Sequence, residues 1–257
     1  MPRKKSYQLG SANKSLTGDF VLEDVHLYRI NRHTFTIYVG GDPLHAAADT
    51  DYNEPGVEYL MADRFEMNLS ILSGLDPQRP ILVHLASCGG DWYAGMQMFG
   101  AILTCPNPVT VLATRWARSM TSIIPLAADR FVMRPPARYM IHDGSAAMSG
   151  TVKEFLTDAD ELRKSSEVML RIYIARLKER GPHKDKTPEE ITDLLRKMID
   201  QKSDVWFSAD EAKRLGFVDG VFDGNLSTLL ATTPNQFRRK RMMTVLRRPV
   251  HVMAKTY

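Results

Sequence analysis

The chain has no uninterrupted apolar run approaching the roughly 20 residues that span a bilayer, which excludes a membrane-crossing helix. It has little cysteine. Cys88 and Cys105 are the two cysteines in 257 residues, too few for a disulfide framework and in keeping with a reducing compartment. The start, MPRKKSYQLG, is basic, but no apolar segment follows it as a secretory signal requires, so the expected address is cytoplasmic. There is no internal repeat, no low-complexity block, and no G-x-x-x-x-G-K-S/T phosphate loop. No nucleic-acid-binding motif occurs either.

What is present is enough apolar material, 44% of residues, to bury the core of one large domain or two small ones. The net charge of +4 is unevenly spread. Residues 237–257 carry seven Lys/Arg and no acid, leaving 27 basic against 30 acidic residues elsewhere, a balance of −3. The high pI therefore belongs to a C-terminal extension, residues 224–257. Such an extension is read as solvated or as packed on a subunit rather than as a nucleic-acid surface, and nucleic acid and membrane are not expected partners.

Along the chain, residues 1–20 are polar and read as a flexible arm. FTIYVGG (35–41) is β-branched and aromatic and predicts a strand and turn, followed by a loop-like insertion near 45–58. YLMADRFEMNLSILSGL has apolar residues at helical spacing, ILVHLAS (81–87) is a compact strand, and WYAGMQMFGAILT returns to helical period. VTVLATRWA predicts the next strand, then a short helix that Pro125 kinks. DRFVMRPPARYMIHDG reads as two short strands about a Pro-Pro turn. A long amphipathic helix over about 152–178 follows, with Phe155, Leu156, Ala159, Leu162, Met169, Ile172 and Tyr173 on its apolar stripe. KERGPHKDKTPEE breaks it, a second helix runs through EEITDLLRKMI, and Ser208 with Glu211 forms a helix start. Strand–helix alternation over 35–223 is the α/β signature of a mostly parallel sheet covered by crossover helices.

Three features lie at strand ends: Gly89-Gly90, Ser119 and His142. In an α/β sheet such ends converge on one edge. Acyl transfer needs a nucleophilic hydroxyl, a base, a carboxylate to orient the base, and N–H donors for the oxyanion. Ser119, His142, an acid, and the Gly90 and Met120 amides would supply them. Each has a plainer explanation. A serine before a helix is usually its N-cap, a histidine ending a strand is usually structural, and glycine pairs usually mark turns. Spacing alone allows a hydrolase without establishing one.

Longer segments add a resemblance. LASCGGDWYAGMQMFGAI resembles the N-S-P-G-G…A-G…I segment of the caseinolytic protease proteolytic subunit family, ClpP. ARSMTSIIPLAADRFVMRPPARYMIHDG resembles that family's A-A-S-M-G nucleophile segment and its R…M-I-H-Q-P strand. SDVWFSADEAKRLGFVDGV is similar to its D-x-x-F/M-S-A-x-E-A…G…D ending. The likeness covers about residues 20–223 in order. It implies Ser119 as nucleophile, His142 as general base, and Asp204, rather than Asp200 or Asp210, as the orienting carboxylate. Gly90 and Met120 would be the oxyanion donors through their backbone N–H groups, with no metal. The implied fold is a ClpP/crotonase-like head of repeated β-β-α units (21–223) with a strand–helix handle at about 143–180.

The resemblance further implies a serine endopeptidase, the proteolytic subunit of an ATP-dependent Clp-type protease, cutting unfolded polypeptides to short peptides. Its subunits would form stacked heptameric rings fed by a AAA+ unfoldase of the ClpX/ClpA type. No cofactor is implied for this chain, and any ATP dependence comes from the partner. Two variants of that reading are a phage head-maturation protease and a catalytically silent ring subunit. An acyl-CoA enzyme of crotonase type shares the amides but not the serine–histidine pair. Departures from the family pattern are Cys88 for proline, Arg118 for a small residue, Thr121 for glycine, Asp143 after the histidine, and Ser203 for a ring-linking arginine. Arg118 is expected to pair with Asp129 or Asp143, or to meet an acidic substrate group. An exposed His142 would lose basic function below about pH 6.5.

Overall fold

The computed structural model describes residues 24–40, 56–147 and 149–249. The N-terminal arm, most of the 45–58 insertion and the last residues of the basic extension lie outside them. Residues 24–27 are helical (α1), followed by β1 (Ile30–Asn31) and β2 (Thr36–Val39). Then come α2 (Tyr59–Leu75), β3 (Ile81–Ser87), α3 (Trp92–Thr104) and β4 (Val109–Arg118). A short α4 (Met120–Ile123) hands over to a 3-10 turn at Ile124–Ala127, with Pro125 at its start, where the missing N–H costs nothing. The chain continues through β5 (Arg130–Met133), β6 (Arg138–Ile141), α5 (Val152–Leu177) and α6 (Pro188–Gln201). It closes with β7 (Val205–Ser208), α7 (Ala209–Leu215), β8 (Gly220–Val221) and α8 (Gln236–Arg247). Among the described residues no helix is long and apolar enough to cross a membrane.

The sheet runs β1-β2-β3-β4-β5-β8, and β6 branches from β4 to pair with β7. Pairing is parallel except β1/β2 and β6/β7. This is the expected mixed α/β architecture with a mostly parallel sheet. One strand organises it. The first half of β4 pairs with β5 (Thr110↔Arg130 to Ala113↔Met133) and its last residues pair with β6 (Trp116↔Arg138 to Arg118↔Met140). A ten-residue strand can serve two successive partners on one edge, and β4 thereby carries the chain out to Ser119. β3 alternates buried and half-buried residues strictly, burying Ile81, Val83, Leu85 and Ser87 beneath α2 and α3. On the opposite face Leu112 and Val132 are covered by Phe222 and Leu229.

Two predicted features turn out differently. Residues 143–147 and 149–151 form no strand, so the handle is α5 without the strand expected before it. The apolar stripe of α5 is also divided. Met169, Ile172 and Tyr173 are buried, whereas Phe155, Leu156 and Leu162 are exposed. Periodicity reports one apolar face along the helix; among the described residues it is buried in the C-terminal half alone.

The basic extension is not a plain solvated surface. Arg238 and Arg239 on α8 are buried and inserted into the domain. Arg238 reaches Glu179 (2.7 Å) and Asp219 (2.9 Å), an anionic pair also contacted by Arg176. Arg239 forms a two-pronged pair with Asp129 (2.8 and 2.6 Å). Charge counting cannot distinguish these from surface arginines, because their carboxylate partners lie 19 to 110 residues away.

Candidate active site

Strand register brings the predicted residues together. Arg118 pairs with Met140 across the parallel β4/β6 ladder, and the Ser119 N–H donates to the Met140 carbonyl (3.2 Å). The next residues therefore sit side by side, and Ser119 Oγ lies 2.7 Å from His142 Nε2. In the antiparallel β6/β7 pair Ile141 faces Val205, so one step further His142 faces Asp204. Asp204 Oδ1 is 3.5 Å from His142 Nδ1, within ion-pair reach but longer than a well-formed hydrogen bond. Its side chain is 46% exposed.

Ser119 does not behave as an ordinary cap. Its backbone is at φ 53°, ψ −129°, a region L-residues rarely adopt, and its side chain makes no capping bond to α4. By contrast Ser208, at φ −68°, accepts from Glu211 N–H in a full capping box. The strained turn presents Ser119 Oγ to the histidine instead. Strain of this kind costs about 1–3 kcal/mol and persists where the surroundings enforce it. Here Ser122 Oγ bonds the Ser119 carbonyl (2.6 Å) and Tyr173 Oη (2.6 Å), while Tyr139 Oη donates to the Ser122 carbonyl (2.9 Å). Burial pushes both phenols up, so they stay neutral hydrogen-bonding groups. This buried hydroxyl chain was not read from the sequence. Tyr173 gives no signal there beyond its place on the apolar stripe.

The glycine pair passes close behind the serine. A Cβ on Gly89 would stand 2.5 Å from Ser119 Cβ, and one on Gly90 would stand 2.2 Å from the Val57 carbonyl oxygen. Val57 binds this loop in a parallel bridge: its N–H donates to Gly89 O (2.6 Å) and its carbonyl accepts from Asp91 N–H (2.8 Å). Gly90, the bridged residue, has its own N–H directed away from Val57. Met120 opens α4, so its N–H belongs to the unpaired first turn. Gly90, Met120, Ser119, His142 and Asp204 line one open cleft.

His142 is half-buried, not exposed as expected. Burial holds its imidazole below the ordinary value; Asp204 pulls it up, Arg118 pushes it down, and Asp143 pulls it up. Neutral imidazole thus persists to lower pH than an exposed histidine would allow. Arg118 pairs with neither expected aspartate in an ion bridge: Asp129 is taken by Arg239, and Arg118 Nε donates to the Cys88 carbonyl (3.0 Å). Its guanidinium also lies 5.6 Å from the Trp116 ring and 5.9 Å from that of Trp206. Among the described residues no cluster of three or more His, Cys, Asp or Glu could hold a metal ion.

A mostly parallel α/β sheet whose strand ends bring a serine at positive φ beside a histidine and an aspartate defines the class: a mixed α/β protein with its candidate site at the strand ends. The chain belongs to the Clp protease family, whose model matches residues 53–225. It is 31% identical over 187 residues to the ATP-dependent Clp protease proteolytic subunit 3 of Streptomyces coelicolor, covering 72% of this chain and 78% of the relative. Against the corresponding subunit of Deinococcus radiodurans identity is 30% over 169 residues, 65% of this chain and 76% of the relative. A solved structure of a ClpP1 mutant from Listeria monocytogenes shares the fold with a TM-score of 0.59 at 24% identity, covering 77% of this chain and 96% of that one.

Proposed function

We propose that this chain is a serine endopeptidase, the proteolytic subunit of a Clp-type protease, acting through Ser119, His142 and Asp204. The observation that carries the reading is the Ser119 hydroxyl, 2.7 Å from His142 Nε2 on a strained turn where a capping serine would have pointed elsewhere. In this mechanism Ser119 Oγ attacks the scissile carbonyl carbon as its proton passes to His142 Nε2. The Gly90 and Met120 N–H groups take the developing oxyanion charge. His142 then gives its proton to the leaving amine, and the acyl group remains on Ser119. A water molecule, deprotonated by the same nitrogen, releases the acid and restores the serine. Asp204 keeps Nδ1 protonated and stabilises the imidazolium, tightening from 3.5 Å as charge develops.

The same reading has the subunits assemble as stacked heptameric rings around an inner chamber, with unfolded polypeptide delivered by a AAA+ partner that supplies the ATP chemistry. The exposed Val152, Phe155, Leu156 and Leu162 on α5 support self-association, since an apolar face of this kind calls for a cover. Covalent labelling with a fluorophosphonate, followed by mapping of the modified peptide, tests the chemistry. The wild type should label at Ser119 and Ser119→Ala should not. Equal labelling of the two removes the peptidase reading and leaves a catalytically silent subunit. Particle mass by light scattering tests the assembly, and a monomer at micromolar concentration removes the chamber.

A further inference from the structure

Behind the serine the loop 87–90 is held with unusual completeness. Three consecutive carbonyls each have a different donor. Ser87 O accepts from Thr121 Oγ1 (2.8 Å), Cys88 O from Arg118 Nε (3.0 Å), and Gly89 O from Val57 N–H (2.6 Å). The next polar group along the chain is the Gly90 N–H. Two of the three donors come from the segment that carries the serine, one residue before Ser119 and two residues after it. They are also joined to each other: Thr121 Oγ1 accepts from the Arg118 N–H (3.1 Å). The single Thr121 hydroxyl proton lies between Ser87 O and Arg118 O, both at 2.8 Å. Thr121 is fully buried, so losing that hydroxyl would strand buried acceptors.

We infer that Arg118 and Thr121 are positioning residues that lock the loop bearing the Gly90 N–H to the turn bearing Ser119, so that oxyanion donor and nucleophile keep a fixed separation. This rests on the serine-peptidase reading above and adds to it what sets the oxyanion geometry. The physical reason is directional. A peptide plane is rigid: Thr121 on the Ser87 carbonyl and Arg118 on the Cys88 carbonyl fix the two planes that lead into the Gly89–Gly90 plane, which Val57 holds through the Gly89 carbonyl. Inside the loop the side chains reach only weakly, Ser87 Oγ accepting from the Gly89 N–H at 3.4 Å and Cys88 Sγ lying 3.9 Å from the Gly89 carbonyl, so the firm anchors come from outside it. Aromatic rings within cation–π reach on both Trp116 and Trp206 steady the Arg118 guanidinium in its place. A donor that must meet an oxyanion at about 2.7–3.1 Å tolerates little drift, and one lost oxyanion donor costs on the order of 100-fold in kcat.

The experiment compares Thr121→Val, Thr121→Ser and Arg118→Met with the wild type on a fluorogenic peptide and on a peptide boronate that forms a tetrahedral adduct with the serine. Thr121→Val should lower kcat by roughly 10- to 100-fold with KM nearly unchanged, and weaken the boronate by a similar factor, because only the tetrahedral state uses the amide. Thr121→Ser keeps the hydroxyl and should recover most of kcat. Arg118→Met should show the same kcat-selective loss, and in addition move the acid limb of the rate profile upward. Thr121→Val should leave that limb in place. Urea midpoints identify a variant that has merely unfolded, and partly exposed Arg118 supplies the test if buried Thr121→Val does not fold. Variants with wild-type kcat, or with losses confined to KM, overturn the inference while leaving the peptidase reading intact. A wild type that neither turns over peptide nor labels at Ser119 overturns both.

Discussion

Replacing Arg239 by methionine isolates the energetics of the buried C-terminal cation. The guanidinium gives Asp129 two hydrogen bonds (2.8 and 2.6 Å), a third to the Asn107 carbonyl (2.8 Å), and one more to the carbonyl of Cys105. The Asp129 side chain is 1% exposed, and its other donors are the Val109 N–H (2.7 Å) and the Asn235 N–H (2.6 Å). Methionine fills similar space but leaves a buried carboxylate with no cation and two carbonyls without a donor. Breaking a buried pair from one side costs about 3–5 kcal/mol, and the stranded carbonyls keep the value toward the upper part of that range. At about 2–4 °C per kcal/mol for a chain of this size, the unfolding temperature should fall by about 8–16 °C. Pairing the change with Asp129→Asn removes the orphaned charge and should return about half of the loss. Urea unfolding followed by tryptophan fluorescence reads both variants, with calorimetry as the second probe. A shift under about 1 kcal/mol for Arg239→Met, the value of an exposed pair, would refute the reasoning. So would a double variant no better than the single one.

Two further outcomes follow from the site. Because burial and Arg118 hold His142 below its ordinary value, the base stays neutral as pH falls, and the acid limb of kcat/KM should lie below about pH 6.5. Asp143→Asn removes a carboxylate that pulls the histidine up, so it should move that limb further toward acid; a limb above 6.5, or one moved upward by Asp143→Asn, contradicts the assignment. The two serines at helix starts should respond oppositely to substitution. Ser208→Ala loses a capping bond and about 1 kcal/mol of stability without affecting covalent labelling. Ser119→Gly abolishes labelling yet should be more stable than Ser119→Ala by about 1 kcal/mol, since glycine accepts φ 53° without strain. Equal unfolding midpoints for the two Ser119 variants would mean that the turn is not strained.

Much of the fold was legible because its strands and helices are written in local period: β3, α2, α3 and α6 emerge from spacing and from their bounding Pro, Gly and Asp residues. The strand ends carrying Ser119 and His142 could be seen the same way, and Asp204 came from the likeness of an entire segment, since spacing alone left several acids open. What could not be seen depends on contacts between distant residues. Nothing near Tyr173 shows that its hydroxyl reaches Ser122, or that Thr121 and Arg118 grip the loop at 87–88. Buried arginines look like surface arginines until Asp129 and Asp219 are brought to them. The half-exposed stripe of α5 marks the opposite limit: the period is correct, and among the described residues nothing covers Phe155, Leu156 and Leu162.

The register of β6 and β7 has a consequence for how an active centre can be encoded. Asp204 is exposed and its contact with His142 is long, at 3.5 Å, so its own side chain does little to select its position. Its neighbours do. Val205 and Phe207 point inward while Trp206 points out, and only one register satisfies that alternation against Ile141 and Tyr139. A slip by one residue would expose Phe207, bury Trp206 and draw the carboxylate away from the imidazole. The aspartate's alignment is thus stored as greasy and polar letters one to three residues downstream, and a mutation in that spelling would draw Asp204 from His142 without altering either side chain.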